Sequence, residues 1–212
     1  MVEEAIVTLN EKSMSTELDG KYGFNNSILG GNYTVLPSKD GDILNGVTIL
    51  DVYLIERHVL GVSSFISPYK TIAADINADE KISGLDLVAL RKVILGIKDE
   101  FPNNSSWRFV DASQTFENAM KPWPFLEHIE VENLSINLRK EDFVGVKIGD
   151  INSSALANSA VLGKGRSDQR LELLTADKNI AEGETFEVVI SMKENIDLVG
   201  FQWTMNHDNA EL

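Results

Sequence analysis

The sequence predicts a multidomain α+β chain: a β-sandwich fragment, a pair of acidic loop–helix repeats with an irregular extension, and the start of a second β-sandwich. Three observations predict it. Short apolar–polar runs broken by glycine turns fill residues 1–39. From Asp40 the period becomes helical, and DGDILNGVTILDVYLIERHVLG (40–61) aligns without a gap on DINADEKISGLDLVALRKVILG (75–96) at an offset of 35. After a small, polar stretch at 152–168 the alternation returns and runs to Leu212.

Composition narrows the function classes. The 212 residues carry a formal net charge of −14, which disfavours nucleic acid and anionic membrane surfaces and suits cation binding. Hydrophobic residues make up 43% and mean hydropathy is −0.10, without an apolar run long enough to span a membrane. Cysteine is absent, which removes disulfides and zinc–thiolate sites. The opening MVEEAIVTLN places two glutamates where a signal peptide needs basic and apolar residues. Both ends read as cut, so the chain is expected to be a fragment of a longer protein.

In residues 1–39, AIVTL, KYGF and NYTVL are the strand-like runs, separated by LDGK and LGGN turns. The spacing Thr16, Asp19, Gly20, Tyr22, Phe24, then Leu29, Gly31, Tyr33, Val35 resembles the carboxypeptidase regulatory-like, prealbumin-type β-module, short of its first strand. That resemblance implies a noncatalytic spacer. An unrelated β-meander is the alternative.

The acidic repeats carry the chemistry. In residues 75–86, Asp75, Asn77, Asp79 and Ser83 stand at loop positions 1, 3, 5 and 9, and Asp86 closes the loop at position 12. An EF-hand calcium loop has this spacing, with the carbonyl of position 7, here Lys81, as a further ligand. Leu87, Leu90 and Ile94 then share a helix face, and Gly96 stands where a left-handed C-cap is wanted. Glu80 occupies position 6, where glycine is preferred, at a cost on the order of 1 kcal/mol. In the first repeat Asp40, Asp42, Thr48 and Asp51 keep ligand positions, but Leu44 replaces the oxygen at position 5. Either Asn45 reaches in and a distorted calcium site forms, or hydrophobic packing has replaced the ion.

Two such units, each ending in Asp and neither with a convincing entering helix, resemble the type I dockerin domain of bacterial scaffold-attached proteins. The longer phrases LNGVTILDVYLI, SPYKTIAADIN and EFPNNSSWRFVDA look like dockerin-bearing surface proteins of Bacteroidetes-type bacteria. The resemblance implies Ca2+ as cofactor and a cohesin-like module, on the same or another chain, as partner. Carried over by position, the partner contacts are Ile49, Leu50 and Arg57 in the first repeat and Gly84, Leu85, Arg91 and Lys92 in the second. The family's usual Ser-Thr pair is absent from both repeats, so these residues either bind the partner or pack internally.

The dockerin-like domain with its extension is expected over 40–151. Within the extension, WRFV (107–110) and EHIEVENLSI (127–136) read as strand fragments. Trp107, Phe109, Phe116, Trp123 and Phe125 form either a sugar-stacking platform or the cover of a small core. Asp150 and Asn152 make another D-x-N, with Ser154 at position 5 and no acid at position 12. This falls short of a third loop and reads as a spare ligand or cap. Residues 152–168 read as a linker. In 169–212, the alternating Phe186, Val188, Ile190, Met192 and Val199, Phe201, Trp203, Met205 resemble the opening strands of a cohesin-like or carbohydrate-binding β-sandwich.

Catalytic patterns are missing. His58, His128 and His207 are scattered without metal-ligand spacing, and neither a G-x-S-x-G elbow nor a phosphate-cradling loop occurs. The expected function is therefore noncatalytic, calcium-dependent protein–protein attachment in an extracellular or cell-surface protein. A structural spacer or adhesin segment is the first alternative. An accessory region of a polysaccharide-degrading enzyme, with polysaccharide held by neighbouring modules, is the second.

Overall fold

The computed structural model describes residues 1–157, 173–175, 187 and 189–193. The linker expected over 152–168 and the sandwich expected over 169–212 lie for the most part outside the described residues. Strands β7 (Leu173–Leu174) and β8 (Ser191–Met192) pair antiparallel there.

An antiparallel sheet begins with β1 (Ile6–Leu9), β2 (Lys12–Ser15) and β3 (Tyr33–Ser38). Its fourth strand is β5 (Ile129–Val131), which pairs with β3 to give the order β2-β1-β3-β5. Residues on both sides of the helices thus build one sheet. Alternation explains its inner face: Val7, Leu9 and Val35 are buried, while Ile6, Thr8 and Leu36 point outward. KYGF, expected as a strand, is irregular. Its Tyr22 and Phe24 instead pack beneath the sheet against Val7, Leu9 and Val35, and Tyr22 donates to the carbonyl of Glu141. Gly20, at φ +66°, turns the chain there and breaks the alternation.

The repeats form α1 (Ile49–Val59) and α3 (Gly84–Ile94), with α2 (Pro68–Ala74) between them. The sequence offset survives in hydrogen-bonding detail. Thr48 and Ser83 are the N-caps, each in a capping box with Asp51 or Asp86. Gly61 (φ +71°) and Gly96 (φ +68°) close the helices left-handed, with Val62 N donating to Arg57 O and Ile97 N to Lys92 O. Ser67 caps α2 and Pro68 takes its first position, as the Ser-Pro pair predicts.

A separate two-stranded antiparallel sheet is made by β4 (Trp107–Asp111) and β6 (Phe143–Lys147), with β5 between them in the chain. Val110 and Val146 of this sheet, with Ile148 and Ile151 just after it, share one core with Val52, Ile55, Ile72, Ile76, Leu90 and Val93 of the helical unit. Of the aromatic group, Trp107 and Phe109 are buried against Ala5, and Phe116 and Phe125 pack on the main core. Trp107 and Phe109 are therefore core side chains and do not form an open stacking platform.

Candidate metal centre

The loop 75–86 hangs between the end of α2 and the first turn of α3. Helix α2, which the Ser67-Pro68 pair marks in the sequence only as one short helical turn, serves as the entering helix of this loop. Asp75 (3% exposed) and Asp86 (0%) are buried, so the loop turns its first and last carboxylates inward. Asp75 accepts the amides of Asp79 (3.0 Å) and Glu80 (3.0 Å), one on each oxygen. Asp86 accepts from Ile76 N (2.9 Å) and Asn77 N (3.4 Å) on Oδ1, and from Ser83 N (2.8 Å) on Oδ2. Asn77 Oδ1 accepts the Asp79 amide at 3.2 Å, and Asp79 Oδ1 accepts the Lys81 amide at 3.1 Å. The even-position Ala78 (φ +56°) and Glu80 (φ +62°) absorb the left-handed turns. The strain foreseen for a non-glycine residue at position 6 is present.

The anionic form of these carboxyls is disfavoured by burial and by like charge. Burial pushes the Asp75 carboxyl up to about 6; the amides of Glu80 and Asp79 oppose the rise, and the charges of Asp86 and Asp79 add to it. Burial likewise raises Asp86, against the amides of Ser83, Ile76 and Asn77. Desolvated, mutually repelling carboxylates are costly on their own, and a hard dication reverses that sign. Among the described residues no three His, Asp or Glu side chains are already gathered as a metal-holding group. A dication here would draw on the amide oxygen of Asn77 and the Lys81 carbonyl beside the carboxylates, the mixed oxygen set calcium uses. Asp75, Asn77, Asp79, Lys81, Ser83 and Asp86 are the residues that would hold such an ion.

The first repeat is arranged differently. Asp40 Oδ1 accepts Ser106 N (2.9 Å) and Gly41 N (3.0 Å), which hold its carboxyl below the ordinary value. Asp42, exposed at φ +48°, lends its charge to the neighbourhood of Lys147. Asn45 does not reach in as a ligand: its amide clamps Leu156, donating to the carbonyl (2.8 Å) and accepting from the N–H (2.9 Å). Only Thr48 and Asp51 meet, with Thr48 Oγ1 donating to Asp51 Oδ2 at 2.8 Å. The other oxygen of Asp51 accepts Ile151 N (2.8 Å) and Asn152 N (3.3 Å), from a segment the sequence offers only as a spare D-x-N.

Of the positions expected to meet a partner, Ile49 packs against the main core, and the others lie along α1 and α3 with varying exposure. Leu85 is 64% exposed, Gly84 and Lys92 are exposed, and Ile49, Leu50, Arg57 and Arg91 are half-buried. Tyr53 (45% exposed) and Val88 (47%) extend the same faces one turn onward from Leu50 and Leu85, and sequence reading missed them. Their signal was the repeat itself, since 53 and 88 share its offset of 35. Arg57 lies over the Tyr53 ring, 5.7 Å from its centroid.

The helices, the acidic loop and the paired outer faces are thus confined to one stretch of the chain. No curated protein and no solved structure matches it. Among family models, that of the dockerin type I domain matches, over residues 40–95.

Proposed function

We propose that residues 40–95 are a noncatalytic, calcium-dependent attachment module of an extracellular or cell-surface multidomain protein, with a cohesin-like module as partner. Type I dockerin domains generally bind calcium, carry no catalysis and dock on cohesin modules, and the match over 40–95 supports the reading. The observation that carries it is the buried pair Asp75 and Asp86 at the base of α3, whose outer face leaves Leu85 and Val88 to solvent. Calcium bound between α2 and α3 would fix that face for docking. Cohesin modules immobilised on resin should retain the chain in calcium and release it in chelator. Leu85→Glu with Val88→Glu should abolish retention without changing the far-UV circular dichroism. Equal retention in chelator would defeat the proposal.

A structural joint is the second reading. The bonds from Asp51 to Ile151 and from Asn45 to Leu156 favour it, because they bind the module to its own extension. It predicts calcium-dependent stability with no capture by cohesin.

A further inference from the structure

We propose a second calcium site that is discontinuous in sequence, its first half supplied by Asp150–Ser154 and its second half by Gly46–Asp51. The proposal rests on the calcium reading of loop 75–86, whose oxygen arrangement it repeats.

The repetition is specific, bond by bond. Asp75 accepts the amides four and five residues on, and Asp150 accepts those of Ser154 (3.0 Å) and Ala155 (2.8 Å) in the same way. Asp86 Oδ1 holds Ile76 N and Asn77 N, as Asp51 Oδ1 holds Ile151 N and Asn152 N. Asp86 Oδ2 holds Ser83 N, as Asp51 Oδ2 holds Thr48 N at 2.9 Å. Ala78 and Ser153 take the same left-handed turn, at φ +56° and +62°. Ile76 (0% exposed) and Ile151 (1%) plug one shared core. Residues 150–154 therefore stand as positions 1 to 5 of a calcium loop, and 46–51 as positions 7 to 12.

Two contacts hold the halves in register. Ser154 Oγ donates to the Gly46 carbonyl at 3.0 Å, so oxygens at positions 5 and 7 are adjacent. A Cβ on Gly46 would lie 2.5 Å from Ala155 Cα, so glycine permits the approach. An independent observation points to a ligand. Asn152 Oδ1 is sealed from solvent and has no hydrogen-bond partner among the described residues. Its counterpart in the continuous loop, Asn77 Oδ1, accepts an amide. A buried acceptor left unmatched is costly, and a cation bound at position 3 would satisfy it.

The donors are Asp150, Asn152, Ser154, the Gly46 carbonyl, Thr48 and Asp51, all hard oxygens that suit calcium. This site has two carboxylates where the continuous loop has three, because Ser154 stands opposite Asp79. The buried ammonium of Lys147, donating to Ile43 O at 2.9 Å among the charges of Asp42, Asp150 and Asp40, further opposes a dication. The split site is therefore the weaker one.

Calorimetric calcium titration of the calcium-depleted full chain tests this. The wild type should bind two equivalents, and Asp86→Ala should remove the tighter one. Ser154→Asp, at an exposed position, should tighten the weaker one about tenfold by restoring the third carboxylate. Asp150→Asn should weaken it at least tenfold, whereas Asp40→Ala and Asp42→Ala should leave it within about twofold. A single equivalent that vanishes with Asp86→Ala and ignores Ser154→Asp would overturn the split site and leave the 75–86 reading standing. A second equivalent lost with Asp42→Ala but unmoved by Ser154→Asp would return the site to the contiguous 40–51 loop. No calcium binding at all would overturn both readings.

Discussion

Asp51 Oδ1 accepts the amide of Ile151 at 2.8 Å although the two residues are 100 apart in the chain. Asp51 is 0% exposed and gathers four donors, the others being Thr48 N, Thr48 Oγ1 and Asn152 N. Removing such an acceptor strands buried donors, at about 1–3 kcal/mol for each that finds no water. Asp51→Ala should therefore cost roughly 3 kcal/mol or more in urea unfolding, even in chelator, where lost calcium plays no part. Asp99→Ala, at an exposed position, should stay within about 0.5 kcal/mol.

Gly46 offers a second handle on the same junction. Its φ of +75° already disfavours a side chain, and the added Cβ would strike the Ala155 backbone at 2.5 Å. Gly41, at φ +102°, has nothing within 4 Å of its would-be Cβ. Gly46→Ala should destabilise by roughly 2 kcal/mol more than Gly41→Ala, since both carry backbone strain but only one overpacks. Equal losses in chemical denaturation would mean the 150–156 segment can move aside.

His58 makes stability pH-dependent. Its ring stacks on Phe65 at 4.2 Å, and Nδ1 accepts the Phe65 amide at 3.1 Å, which only the neutral ring can do. Burial lowers its folded pKa below the ordinary 6.5. A depressed histidine contributes stability that is present above the unfolded pKa and is lost as pH falls through the folded one. The His58 contribution should be lost between pH 7 and pH 5, while the raised Asp75 carboxyl works in the opposite direction. His58→Phe, which keeps the stack without titrating, should therefore shift the pH 7 to pH 5 stability difference in favour of pH 5 relative to the wild type. An unchanged difference between the two pH values would assign the effect to carboxylates elsewhere.

Local pattern made much of this legible. The 35-residue offset foretold two helices each ending at a glycine, and the loop spacing set Asp75 and Asp86, both buried, at its two ends, because both signals lie within one contiguous stretch. What escaped was non-local. Asp150 and Asn152 were visible as a D-x-N, but the acid that completes their geometry is Asp51, and spacing along the chain cannot show a partner so distant. The strand at Ile129–Val131 was legible within EHIEVENLSI, but its pairing with β3 was not, because the partner lies far away in the chain and leaves no local pattern. Asn45 offers an oxygen beside the first loop, but both ends of its amide are used by Leu156, a partner too distant in the chain to show in the local spacing.

Calcium binding at 75–86 is the central claim, and thermal unfolding of the chain in calcium and in chelator tests it most directly. An ion bound only to the folded state adds RT ln(1 + [L]/Kd), about 4 kcal/mol at a thousandfold excess, or on the order of 10 °C for a chain of this size. The midpoint of the wild type should rise by that order when calcium replaces chelator, and Asp86→Ala should lose most of the increment. Identical midpoints for the wild type in the two solutions would contradict the account.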